Sequence, residues 1–199
     1  MDSAETLLAE HGINGVSLRE ILRDAKANPA ALNYHFSSKD GLIQAILDRH
    51  GHATKVPRLE MIRALENADT QPTIAELIDV IIDPLLEFLH VEGDSGRRFL
   101  RFLARLHSDR TGIILQMENE KFPEMARGMR RVSAAACAHL PTKERLRRLV
   151  MVLDATYHSL ANADVMIKEW NANDHAGELD AHVATLKRFL AGGLSAPPT

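Results

Sequence analysis

Apolar residues recur at spacings of three and four through nearly every segment of this chain, and no run of β-branched residues alternates with polar ones between turns. The pattern predicts an all-α fold. Near the N-terminus, cap chemistry also marks where helices start and stop. The first segment, Ser3 to Glu10, ends at His11-Gly12, a cation at a helix C-terminus followed by a residue that tolerates a positive φ. Ser17 stands three residues before Glu20, the spacing of a capping box, and Leu18, Ile21 and Leu22 give the helix it opens one apolar face, to about Ala25. Asn28 and Pro29 start a helix of about two turns that points Ala31, Leu32 and Phe36 inward. Ser37 or Ser38 caps a fourth segment carrying Leu42, Ile43, Ile46 and Leu47, with a break expected at Pro57.

That break sets the expected domains, residues 1–56 and 57–199. Beyond it, Thr73 to Leu89 is strongly amphipathic and should kink at Pro84. Further helices are expected at Ser95 to His107, Thr111 to Met117 and Pro123 to His139, then at about Thr142 to Trp170 and at Glu178 to Leu190. The tail from Ser195 to Thr199 is expected to be disordered.

Composition narrows the function classes. With 45% hydrophobic and 26% charged residues over 199 positions, the chain can bury a core. The lone Cys137 excludes an internal disulfide and points to a reducing compartment. With no signal sequence, and with Asp83 and Pro84 interrupting the greasiest stretch, a cytoplasmic protein without a membrane span is expected. A net charge of −3 does not advertise a nucleic-acid partner. Ser17 to Lys39 is a local exception, setting Arg19, Arg23, Lys26 and Lys39 against Glu20 and Asp24, so any DNA contact is expected near the N-terminus. The same cations at Arg19, Arg23 and Lys26 also read as an ordinary solvated helix face.

Catalytic and metal chemistry find little support. Among ten histidines, His50 and His52 form the close pair, and no Cys or acidic partner stands at ligand spacing beside them. No glycine-rich phosphate loop or nucleophile elbow occurs, so neither an enzyme nor a metal or cofactor is expected. Phe88, Phe99, Phe102, Met117, Phe122, Met125, Tyr157, Met166 and Trp170 read equally as core or as cavity lining. Asp164 shares a stripe with Leu153, Tyr157, Leu160 and Ile167, where it would be a polar ligand contact or part of a dimer seam. Leu179, Val183, Leu186 and Leu190 repeat as a helix-packing seam; with Leu153 and Leu160 from the stretch Leu146 to Leu160, they predict a four-helix homodimer interface.

Two short helices, Ser17 to Ala25 and Asn28 to Phe36, joined by about three residues, have the spacing of a helix-turn-helix, which any tight helical corner shares. The residues are more specific. Glu10-His11-Gly12, Ser17-Leu18-Arg19-Glu20-Ile21, Asn28-Pro29-Ala30-Ala31-Leu32-Asn33-Tyr34-His35-Phe36, then Ser38-Lys39-Asp40 and Leu42 together resemble the DNA-binding domain of TetR-family transcriptional regulators. The resemblance implies a three-helix helix-turn-helix domain joined through a fourth helix to a larger helical ligand-binding and dimerisation domain. It implies a homodimeric repressor, released from a palindromic double-stranded operator by a small hydrophobic effector.

Carried over residue by residue, it places Ser17 and Arg19 against backbone or base at the start of the second helix. Asn28, Ala30, Ala31 and Asn33 would face the major groove, Tyr34 and His35 its edge, and Lys39 a phosphate. The effector site implied by the middle helices takes in Phe88, Phe99, Phe102, Met117, Tyr157 and Trp170, with Tyr157, His158 or Asp164 orienting a polar end. The turn departs from the family pattern. Lys26 stands where the family has glycine, at a cost of about 1 kcal/mol if a left-handed conformation is kept, and Leu22 stands where it has alanine. Met1 corresponds to a point well inside the family's first helix, so either the sequence starts late or arm contacts are lost. These departures leave open a second class, a helical small-molecule-binding protein that has lost specific DNA readout.

Overall fold

The computed structural model describes residues 1–27, 36, 38–170 and 178–198, the side chains of 110–119, 169 and 170 excepted. Among them are eight α-helices and no strand: α1 (Asp2–His11), α2 (Leu18–Asp24), α3 (Lys39–Glu66), α4 (Ile74–Lys121), α5 (Pro123–Ala136), α6 (Thr142–Ala161), α7 (Ala163–Trp170) and α8 (Glu178–Ser195). None is long and apolar enough to cross a membrane. The expected helix Asn28 to Phe36 lies, apart from Phe36, outside the described residues.

The N-terminal helices close a small core of Leu8, Ile13, Val16, Ile21, Leu42, Ile43 and Ile46. Gly12 ends α1 at φ 79, a conformation that suits a residue without Cβ, and its N–H donates to the Leu8 carbonyl. This headpiece rests on α4, where Asp109 accepts from the Ile13 N–H at 2.9 Å. Glu5 of α1, fully buried, bonds His50 Nε2 of α3 at 3.0 Å. The His50 ring lies 4.4 Å from that of Phe99 on α4.

In the body, α4 packs against α3, α5, α6 and α8. A Cβ on Gly128 would meet Ile62 Cγ2 at 2.4 Å, so glycine is what lets α5 approach α3.

Four boundaries differ from expectation, each for a local reason. The expected break at Pro57 is absent, and α3 runs through it to Glu66. The carbonyl that Pro57 leaves unpaired is that of Ala53, an exposed position where water can take the hydrogen bond. The proposed division at 56/57 therefore falls inside one helix. The three helices expected between 73 and 117 are a single element, α4, because Leu77, Ile81, Leu85, Phe88, Phe99 and Phe102 all stay buried on its inner side. Gly93, at φ 54, absorbs the irregularity where a loop was expected. The long helix expected from Thr142 is divided at Asn162, whose side-chain amide donates to the His158 carbonyl at 2.9 Å and competes with the helical ladder. The tail is held: Arg148 Nη1 donates to the Gly193 and Ala196 carbonyls at 3.0 and 2.6 Å, and Nη2 to that of Pro197 at 2.8 Å.

Candidate nucleic-acid interface and effector cavity

The capping box opens α2 as its sequence implies. Ser17 Oγ accepts from the Glu20 N–H at 3.2 Å, and Glu20 Oε2 accepts from the Ser17 N–H at 2.7 Å. The hydrogen bonds from the Ser17 backbone and hydroxyl hold the Glu20 carboxyl below its usual range. Arg19, Arg23 and Lys26 are exposed around this short helix and form no ion pair among the described residues. Lys26 takes the left-handed φ of 49, the conformation for which the turn would favour glycine. The turn is closed by the Ala27 N–H donating to the Leu22 carbonyl at 3.0 Å.

Ser38 caps α3 by accepting from the Gly41 N–H at 3.1 Å. Lys39, the first residue of α3, donates through Nζ to the Val16 carbonyl, which fixes the start of α3 against the residue before Ser17. Ser17, Arg19 and Lys39 are therefore brought to one end of the molecule. Asn28, Ala30, Ala31, Asn33, Tyr34 and His35 lie outside the described residues.

The other candidates are dispersed. Phe88, Phe99 and Phe102 are buried core, with ring centroids 5.6 Å apart for the first pair and 6.1 Å for the second. His158 is exposed. Asp164 pairs with Arg101 at 3.3 Å on the rim of an open groove between α4, α7 and α8. The side chains of Met117 and Trp170 lie outside the described residues. Val183, Leu186 and Leu190 pack into the core of their own chain, as does Leu160, while Leu153 lines a cavity. The exposed large apolar residues of α6 and α8 are Leu146, Met151, 66% exposed, Leu179 and Phe189, 73% exposed.

That cavity, about 340 Å³, lies between α3, α4, α5 and α6. Met125, Met129, Leu146, Leu149 and Leu153 give it an apolar wall, and Arg58, Arg130, Ser133 and Tyr157 its polar groups. Met125 and Tyr157 are the described residues that the sequence-based cavity set and this cavity share.

The sequence missed Arg58. Its side chain is 6% exposed, and its guanidinium donates through Nε to the Val80 carbonyl at 3.1 Å and through Nη2 to the Ile81 carbonyl at 3.0 Å. Val80 lies four residues before Pro84, so its carbonyl lacks the helical N–H partner that proline cannot supply. Arg58 takes that place. The available signal was positional: Thr54, Arg58 and Ile62 follow one another at helical spacing on the buried side of α3, an unusual stripe for an arginine.

A short N-terminal headpiece with a capped second helix is borne on a long helix that enters an all-helical body with a cavity. Comparison with known proteins gives the family. A model described as "Bacterial regulatory proteins, tetR family" matches residues 1–46, and one described as "Tetracyclin repressor-like, C-terminal domain" matches residues 79–193. The chain belongs to the TetR family of DNA-binding transcriptional regulators.

Among curated relatives, the probable HTH-type transcriptional regulator YttP of Bacillus subtilis (strain 168) is 29% identical over 107 residues, 53% of this chain and 47% of the relative. The A-factor receptor protein of Streptomyces griseus is 40% identical over 48 residues, 24% of this chain and 17% of that protein. The matched stretch thus spans less than half of either relative. A crystal structure of Mycobacterium smegmatis AmtR superposes with a TM-score of 0.50 at 21% identity, covering 96% of this chain and 83% of that one, a likeness of fold.

Proposed function

We propose that the chain is a homodimeric repressor that leaves a near-palindromic operator when a small, largely apolar molecule fills the cavity beside Arg58. The observation that carries this reading is the continuity of α3. It begins at Lys39 in the headpiece and presents Arg58 to the cavity wall without a break. At 1.5 Å per residue the two positions are about 28 Å apart along one rigid element. A change in how α3 packs at the cavity is thereby delivered to the headpiece, and an effector need favour one packing by only about 1–3 kcal/mol.

In this reading Ser17, Arg19 and Lys39 meet phosphate or base edges, and Asn28, Ala30, Ala31, Asn33, Tyr34 and His35 are the groove and edge residues implied by the family resemblance. Dimerisation uses the outward side of α6 and α8, with Met151, Leu179 and Phe189 exposed for it, while Val183, Leu186 and Leu190 secure α8 to its own body. A two-fold dimer presents two headpieces, which is why the operator is expected to be a near-palindrome with half-sites about one helical turn apart or slightly more.

The test is footprinting on the DNA upstream of the chain's own gene, with sedimentation of Met151→Glu and Phe189→Glu variants. A protected near-palindrome and monomeric variants are expected. Lys39→Ala should weaken binding to all sequences alike and flatten the salt dependence, whereas Asn33→Ala should change sequence preference. No protected site on that DNA, and none among duplexes selected from random sequence, would place the chain in the class of ligand-binding proteins without DNA readout.

A further inference from the structure

The chemistry of the cavity wall constrains what can fill it. Arg58 is a buried cation that donates to two carbonyls; among the described residues it pairs with no carboxylate, and its Nη1 makes no hydrogen bond. A charge taken out of water without a counter-charge is unfavourable, and the carbonyl dipoles compensate it in part. Arg130 stands on the same wall, and no Asp or Glu is among the described residues that line the cavity. Arg58 thus presents a guanidinium nitrogen beside an apolar surface of Met125, Met129 and Leu149.

We propose that the effector is an amphipathic organic anion, an aliphatic chain ending in a single carboxylate that pairs with Arg58 Nη1. This rests on the reading of the cavity as the effector site and adds the chemical class of its occupant. A carboxylate suits the site better than a phosphate ester because Nε and Nη2 are already engaged with Val80 and Ile81, leaving one guanidinium nitrogen to offer. The charge also reaches the switch. An anion on Nη1 draws on the same guanidinium that ties α3 to the Val80 and Ile81 carbonyls of α4, so the ligand's polar end acts on the contact between the two long helices. An apolar ligand of the same length would fill the cavity without touching that contact.

The experiment is calorimetric titration of the full chain with decanoate, 1-decanol and decylamine, repeated on Arg58→Gln and on Leu149→Trp, which fills the cavity. Decanoate is expected to bind at least about tenfold more tightly than the alcohol or the amine, a preference Arg58→Gln should remove and Leu149→Trp should abolish together with binding. If Arg58→Gln fails to fold, the ranking of the three probes on the unaltered chain decides. Equal affinity for decanol or decylamine, with binding lost in Leu149→Trp, overturns the anion and leaves the cavity reading standing. Decanoate binding that survives Leu149→Trp overturns the cavity reading and this proposal with it, and no binding of decanoate to the unaltered chain overturns the proposal.

Discussion

Pro57 and Pro84 stand inside the two longest helices of this chain, and the structure answers them differently. At Pro57 the carbonyl left without a partner belongs to exposed Ala53, and α3 continues with no special device. At Pro84 it belongs to Val80, 1% exposed, and a buried arginine from another helix is placed against it. The same covalent defect is cheap where water can reach it and demands a dedicated donor where water cannot. The donor chosen is a cation, and it stands on a cavity wall. The need to satisfy the Val80 carbonyl has thereby put a charge at the site where an effector would act.

The comparison can be broken most directly at Arg58. Arg58→Met should destabilise the chain by about 3 kcal/mol in urea unfolding, because two buried carbonyls lose their donor. In a Pro84→Ala background the restored N–H can bond the Val80 carbonyl, and the cost of Arg58→Met should fall by about 1–2 kcal/mol. Equal costs in the two backgrounds would separate Arg58 from the kink.

Pro57→Ala should stabilise by about 2 kcal/mol, below the roughly 3 kcal/mol for a proline forced into a straight helix, since Ala53 already has water. Its effect should add to that of Arg58→Met within about 0.5 kcal/mol. Coupling beyond that would mean that the two prolines belong to one strained unit.

Exposed irregularities in the headpiece sharpen the same contrast. Lys26, at φ 49, has only its own backbone strain to relieve, so Lys26→Gly should raise the thermal midpoint by an amount worth about 1 kcal/mol. A loss of stability would mean that the side chain makes a contact offsetting the strain.

The smallest effect is expected at the α2 cap. Glu20 is held below its usual carboxylate range by the Ser17 hydrogen bonds, so its contribution is present above the ordinary Glu value and is lost as pH falls through the lowered one. The Ser17 amide resonance should move in that acid window and stay flat from pH 5 to 8. A transition near neutral pH would contradict the assignment.

How legible each feature was in the sequence follows the same division. The Ser17–Glu20 box, the Gly12 terminus and the Ser38 cap each depend on residues within four positions of one another, and all three were readable. The amphipathic helix around Pro84 was readable from its local pattern, while its continuation to Lys121 was not. Arg58 was not, since its partners stand on another helix and a single arginine on a helix ordinarily points to water. The Glu5–His50 contact joins residues 45 apart and was hidden in the same way. Burial decided the rest. The Phe88, Phe99 and Phe102 set was expected as core or cavity, and the structure fills that space with their rings, Phe88 edge-on to Phe99 and Phe99 stacked on Phe102, leaving the open volume beside the methionines of α5. The α8 stripe of Val183, Leu186 and Leu190 marked a packing seam, and the partner it packs on is its own body.

The central claim is that α3 carries the state of the cavity wall to the DNA-binding headpiece. Its most direct test is the affinity of Arg58→Gln for duplexes selected from random sequence by the unaltered protein, measured by fluorescence anisotropy over a range of salt. The account predicts binding at least about fivefold weaker, with the salt slope unchanged because the residues proposed for phosphate contact lie far from the substitution. Unaltered affinity in a variant that remains folded and dimeric would contradict it.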